Sequence, residues 1–196
     1  MAAGILGTGA YLPDKVVTND ELSMRFNILP EDIMALSGVR QRHIAAPDQA
    51  CSDLAIAAAL QALENAATAP DEIGMVIVAT STGDFPLPAT AAIVQRKLGI
   101  PAAGCFDLNA GCSGFVFGLL TGCSLVSCGI CTKVLLVGSE VLSRYVNPSD
   151  RDSSLLFGDG AGAVVIGPMP QGYGLVSSVV GTNGVDFDAL MIQAGG

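Results

Sequence analysis

Hydrophobic positions along this chain fall into two rhythms. Residues 73–80 and 134–138 are continuous apolar runs, too short for helices. That pattern belongs to strands buried on both faces. Residues 5–10, 104–108 and 161–167 read as further strands, and 175–181 as an edge strand. Between them lie helix-length stretches. Residues 52–67 predict an alanine-rich helix with Ser52 as N-cap. A loop marked by Pro86 and Pro88 leads to a helix over 89–98, and another helix is predicted over 112–128. Residues 18–50 carry the densest charge and read as an insertion, with Thr18 or Asn19 capping a short helix through Met24. Strands alternating with helices predict an α/β unit around a mainly parallel sheet. No repeat or interdomain linker interrupts it.

Composition narrows the function classes. The 196 residues suffice for one sizeable core, burying about 70% of the unfolded surface. Apolar residues reach 51% and charged ones only 14%, so another chain is expected to cover part of the surface. A net charge of −9 excludes the basic footprint of a nucleic-acid binder. The N-terminus lacks a basic stretch followed by an apolar run, so no secretory signal is expected. Six cysteines in mostly apolar surroundings predict buried thiols in a reducing cytoplasm. Cys128-x-x-Cys131 has no second pair, and His43 is the one histidine, so no metal site is expected. Residues 108–132 carry no formal charge, yet Gly111, Gly114, Gly118, Gly122 and Gly129 fit a small-residue helix packed inside a core better than a membrane span.

The chemistry concentrates in Asp107-Leu-Asn-Ala-Gly-Cys112-Ser-Gly-Phe. Cys112 stands at the expected start of a helix, whose unpaired N–H groups and dipole favour a thiolate nucleophile. Gly111, Ser113 and Gly114 leave room for a substrate at the sulfur. Gly158-Asp-Gly-Ala-Gly162 lacks the Lys-Ser/Thr of a phosphate loop, so its glycines are read as permitting a tight turn and close packing.

The Cys112 segment resembles the active-site stretch of β-ketoacyl-acyl carrier protein synthase III, a thiolase-fold condensing enzyme. Gly7-Thr-Gly-Ala-Tyr-Leu-Pro13, Gly38-Val-Arg-Gln-Arg-His-Ile-Ala45 and Phe157-Gly-Asp-Gly-Ala-Gly-Ala163 resemble three further family segments, in the family's order. The resemblance implies a thiolase-like fold, one half of a layered αβαβα sandwich. Residues 1–196 would form the N-terminal unit, with the second unit absent from this chain. It implies an acyltransferase in which Cys112 accepts an acyl group. Malonyl-acyl carrier protein would then condense with it in fatty-acid or related lipid biosynthesis. The family's decarboxylating histidine and asparagine belong to the second unit; His43 is expected to be structural, and Asn109 a loop or cap residue.

Arg151 resembles the arginine that contacts the nucleotide end of coenzyme A, and guanidinium suits that task. Leu87, Leu142, Phe157 and Leu190 match positions lining the acyl pocket. No resident cofactor is implied: the substrates are coenzyme A or carrier-protein thioesters. The implied partners are the carrier protein, a second α/β unit and a second copy of the assembled enzyme. Two departures stand out. Asp32 and Leu36 occupy places where the family often has a tryptophan and an arginine that clamp the adenine, and Leu87 stands where a phenylalanine often closes the pocket across the dimer. They point to weaker use of short acyl-coenzyme A and room for a longer acyl group. Two other readings share the same residues: acyl transfer to an alcohol, amine or β-keto acceptor, and a non-catalytic dimerising subunit.

Overall fold

A computed structural model describes residues 2–192. Five strands form the central sheet: β1 (Ala3–Tyr11), β4 (Ile73–Ala79), β5 (Gly104–Leu108), β6 (Lys133–Val141) and β7 (Asp159–Pro168), in the order β1-β7-β6-β4-β5. β5, β4 and β6 are parallel neighbours, whereas β7 is antiparallel to both β6 and β1. Only β7 therefore opposes the common direction. The sheet is mixed and mainly parallel, as the strand–helix alternation predicts.

Side-chain alternation sends the strands' apolar residues to two cores. Val76, Val78, Leu135, Val137, Ala163 and Val165 face α3 (Cys51–Asn65) and α4 (Thr90–Lys97). Ile77, Val134, Leu136, Val164 and Ile166 face α5 (Gly114–Ser127). This is why 73–80 and 134–138 are apolar without a break: both faces are covered.

Close approach dictates the small residues. A Cβ on Gly9 would lie 2.1 Å from the Ala58 carbonyl oxygen and 2.5 Å from the Ala62 nitrogen. The first strand and the alanine face of α3 thus meet almost backbone to backbone. On α5, Gly114, Gly118 and Gly122 form one sheet-facing stripe at four-residue spacing, buried against Ala79, Leu136 and Ile166.

The charged stretch is more ordered than an insertion suggests. β2 (Lys15–Thr18) and β3 (Gln41–Ile44) make an antiparallel ribbon around α1 (Asn19–Phe26) and α2 (Pro30–Ser37). Thr18 caps α1 as expected: its hydroxyl accepts from Glu21 N (3.3 Å), and Glu21 accepts from Thr18 N (3.2 Å). Leu22, Ile33 and Leu155 join α1 and α2 to α6 (Arg151–Leu156). Buried Arg42 donates to the Leu155 carbonyl (2.8 Å) and to Asn19, and burial lowers its pKa.

Three expectations need correction. Ser52 does not cap α3; the cap is Ala50, whose N–H donates to Asp53 (2.8 Å). Ser52 is instead fully buried, and its backbone N–H goes to Asp84 (2.8 Å). Residues 175–181 form no strand. Gly172 and Gly174 take positive φ, and Leu175 N makes one bond to the Ala3 carbonyl (2.9 Å), after which the segment runs exposed. Finally, α5 packs on one face only among the described residues. Val116 is 58% exposed on the side away from the sheet. No helix of the described residues is long and apolar enough to cross a membrane.

Candidate active site

β5 ends at Leu108, and the chain turns through Asn109 and Ala110 into a single 3₁₀ turn, Gly111–Ser113, before α5 begins. Gly111 makes this possible. Its φ is +53° and nothing lies within 4 Å of a Cβ there, so the backbone conformation, not space, requires glycine. The turn closes with Ser113 N donating to the Ala110 carbonyl (3.2 Å). Cys112 sits in it, exposed, one turn ahead of the helix rather than as its first residue.

The location follows from sheet topology. β4, β5 and β6 all end at this edge, the usual place for a ligand crevice in an open parallel sheet. A groove beside the turn is lined by Asn109, Ala110, Ser113 and Phe117 and by Gly181, Thr182 and Asn183 of the C-terminal segment.

Exposure separates Cys112 from most other thiols. Cys51, the first residue of α3, is buried at the same edge, and burial pushes its thiol up to about 11, with Glu140 and Asp84 adding to the rise. It donates to the Ser139 carbonyl (3.2 Å) and touches the Thr80 hydroxyl (3.3 Å). Burial also raises Cys105, Cys123 and Cys131. Cys128 is the other exposed thiol, just past the far end of α5.

Three strand carboxylates tie the surrounding loops to this edge, and the sequence reading passed over them. Asp107 accepts from Thr90 N (2.6 Å) and Ala91 N (2.8 Å), capping α4. Glu140 accepts from Ser81 N (2.8 Å). Asp159, in the glycine-rich segment, is buried and accepts from Ala45 N (2.7 Å), Ser143 N (2.8 Å) and the Ser143 hydroxyl (2.6 Å). Gly158 packs against β3, where a Cβ would lie 3.1 Å from the His43 carbonyl oxygen. A signal was present: carboxylates at the ends of otherwise apolar strands have a specific duty, because they are otherwise expensive there.

The remaining candidates are spread over several elements. Leu87 is 86% exposed at the tip of the loop between β4 and α4. Leu142 and Phe157 are half-buried, Leu142 in the turn after β6 and Phe157 just before β7. Leu190 is exposed in the C-terminal segment. None of these four lines the groove beside Cys112. Arg151 begins α6 and pairs with its neighbour Asp152 (2.8 Å) on the surface. Asp32 and Leu36 are exposed on α2, which packs beside α6. His43 Nδ1 lies 2.6 Å from the Pro13 carbonyl oxygen, a bond that fastens β3 to the end of the first loop.

The family profile of 3-oxoacyl-(acyl-carrier-protein) synthase III matches residues 106–184, a stretch that includes the Cys112 turn. Over all 196 residues the chain is 46% identical to β-ketoacyl-(acyl-carrier-protein) synthase III of Caldanaerobacter subterraneus. Over its whole length the chain is thus similar to synthase III enzymes. It is also 44% identical, over its whole length, to the synthase III of Desulfitobacterium hafniense. The crystal structure of 3-oxoacyl-(acyl carrier protein) synthase III from Pseudomonas aeruginosa superposes with a TM-score of 0.92 at 43% identity, covering 99% of this chain and 59% of that one. The fold is thus thiolase-like. The chain spans 59% of the length of each of these curated relatives.

Proposed function

We propose that this chain carries the nucleophile of a synthase III-type acyltransferase. The observation that carries the reading is the exposed Cys112 in its 3₁₀ turn, at the edge where the parallel strands end. Its thiolate attacks the carbonyl carbon of an acyl thioester, the carrier thiolate leaves and takes a proton, and an acyl-cysteine remains. Malonyl-acyl carrier protein then loses CO2, and its carbanion attacks the acyl carbon. The Cys112 thiolate departs, leaving a β-ketoacyl carrier product of the kind fatty-acid biosynthesis needs.

The groups assisting decarboxylation, a histidine and an asparagine in the family, are assigned to a second α/β unit. His43 is already engaged on the β2–β3 ribbon. The exposed side of α5 and the apolar residues Val176, Val179 and Phe187 suit cover by such a unit. The assembled enzyme is proposed to be a cytoplasmic homodimer, consistent with six free thiols, with Phe85 and Leu87 on an exposed apolar loop tip. Leu87, Leu142, Phe157 and Leu190 are proposed to line the acyl pocket and Arg151 to meet the donor's nucleotide. Asp32 and Leu36, on the helix beside Arg151, supply neither stacking nor a cation. The preferred donor is therefore a longer acyl group without strong dependence on coenzyme A.

The test is acylation followed by intact mass. The protein is incubated with acetyl and octanoyl groups carried by coenzyme A and by carrier protein. A single adduct on Cys112 is expected, lost in Cys112→Ala and kept in Cys123→Ala, with octanoyl faster than acetyl. Equal labelling of both variants would overturn the nucleophile. A strong preference for acetyl-coenzyme A would overturn the donor assignment alone.

A further inference from the structure

The edge that presents Cys112 holds a carboxylate with no cation beside it. Glu140 is half-buried near the end of β6, and none of the ion pairs among the described residues includes it. Its acceptors are nonetheless in use. Oε1 accepts from Ser81 N (2.8 Å); Oε2 accepts from the Thr82 hydroxyl and, more distantly, from the Thr80 hydroxyl (3.5 Å). The Thr82 hydroxyl in turn accepts from Val141 N (2.8 Å), locking residues 80–82 onto the end of β6. A carboxylate is acceptor-only and can take several donors at once, which an amide side chain cannot.

The chain of bonds continues to the nucleophile's loop. The Ser81 hydroxyl donates to Asn109 Oδ1 (2.9 Å). Asn109 stands three residues before Cys112 and lines the groove beside it. Downstream the same turn is held by Gly114, whose Cβ position lies 3.3 Å from Ala79 Cβ. The turn is thus gripped at both ends by the end of β4 and the residues that follow it: at Ala79 through packing, and at Ser81 through a hydrogen bond whose orientation Glu140 fixes. Gly111, with its positive φ, lies between the two grips.

We propose that Glu140 is a positioning residue for Cys112, acting through Ser81 and Asn109. It holds the turn in the geometry in which the sulfur meets a substrate carbonyl. The inference rests on the reading of Cys112 as the reacting group.

The test uses Glu140→Ala, Glu140→Asp, Ser81→Ala and the Glu140→Ala/Ser81→Ala double variant, each checked for folding by circular dichroism. Two rates are measured: single-turnover acylation of Cys112 by octanoyl thioester, and carbamidomethylation of Cys112 by iodoacetamide. Misplacement of a reacting atom by about 1 Å can cost about 100-fold. On that scale, acylation at saturating donor should fall about tenfold or more in Glu140→Ala and in Ser81→Ala, with donor half-saturation unchanged within about twofold. Glu140→Asp should recover part of the rate. The double variant should be no slower than the worse single one, because both residues act along one chain of bonds. A folded Glu140→Ala or Ser81→Ala protein that acylates at the parent rate would overturn the proposal. If Glu140→Ala does not fold, Ser81→Ala decides. If the parent alkylates at Cys112 but never acylates, the acyl-enzyme reading fails separately. The proposal then stands or falls on alkylation, which should slow at least about threefold in the variants.

Discussion

Two helices begin over the same sheet edge, one on each face, and each brings a cysteine. Cys51 opens α3, and Cys112 stands in the turn before α5. Proximity to a helix start is common to both, so the helix dipole does not by itself distinguish a nucleophile from a structural thiol. Packing does. The α3 face is locked backbone to backbone against β1, and Cys51 is sealed beneath the loop that follows β4. The α5 face rests on side-chain ends, and the approach to α5 runs through an exposed glycine-bearing turn. One face is built to be closed and the other to be reached.

The largest effect that could break this contrast is differential labelling. At pH 8 a thiol near 11 is thiolate in roughly one molecule per thousand, and Cys51 is also enclosed. Iodoacetamide on the folded protein should therefore modify Cys112 at least about 100-fold faster than Cys51, read by peptide mapping. Denaturant should erase the difference. Comparable labelling of Cys51 in the native protein would mean that the α3 face opens.

The second effect concerns the two glycine sets. In Gly9→Ala the new methyl would meet backbone atoms of α3, which cannot move independently. A loss of about 3 kcal/mol or more is expected in denaturant unfolding, at the upper end for overpacking. In Gly118→Ala it would meet Leu136 Cδ1 at 2.5 Å, the end of a buried side chain that can shift where backbone atoms cannot. The gain in helix propensity, about 1 kcal/mol, offsets most of that crowding. Net change should be about 1 kcal/mol or less. Equal losses at the two positions would show that the α5 face is as rigid as the other.

How much of this was legible in the residues differs with range of interaction. The buried strands were readable because a sheet covered on both faces demands unbroken apolar runs, and 73–80 shows one. Thr18 was readable because a capping box is local, with donor and acceptor three residues apart. Ser52 misled for the opposite reason. It has the residue type of a cap, but tertiary burial under Asp84 decides its place. Residues 175–181 have strand-like composition, yet only Leu175 bonds to β1 and the rest run exposed. The small residues around Cys112 pointed to a helix starting there, but the helix begins at Gly114 and Cys112 lies in the 3₁₀ turn before it. The ties to Glu140, Asp107 and Asp159 were not, because each joins residues 16 to 114 positions apart. Leu87 and Leu190 are exposed on this chain, so their proposed pocket role depends on contacts with a second unit or a second copy.

The smallest effect tests the opposite edge of the sheet, where β4 and β6 begin at Ile73 and Lys133. There Glu72 accepts from Lys133 Nζ (2.7 Å) and from Ala69 N (2.8 Å). The Lys133 hydrogen bond, then the backbone one, holds the Glu72 carboxyl below its ordinary value of 4.5. A carboxyl depressed in the folded state stabilises it fully above the unfolded pKa, and that contribution disappears as pH falls through the folded pKa. Glu72→Gln should therefore melt slightly lower than the parent at pH 7. The two melting curves should converge as pH drops below 4.5. Because Glu72 is on the surface, salt should shrink the difference as well. The same variant should leave the rate of Cys112 alkylation unchanged, since the strands' whole length separates the two edges. A change in that rate would mean that the edges are coupled, and that the division between a closed, structural part of the sheet and a reachable one is less clean than the packing indicates.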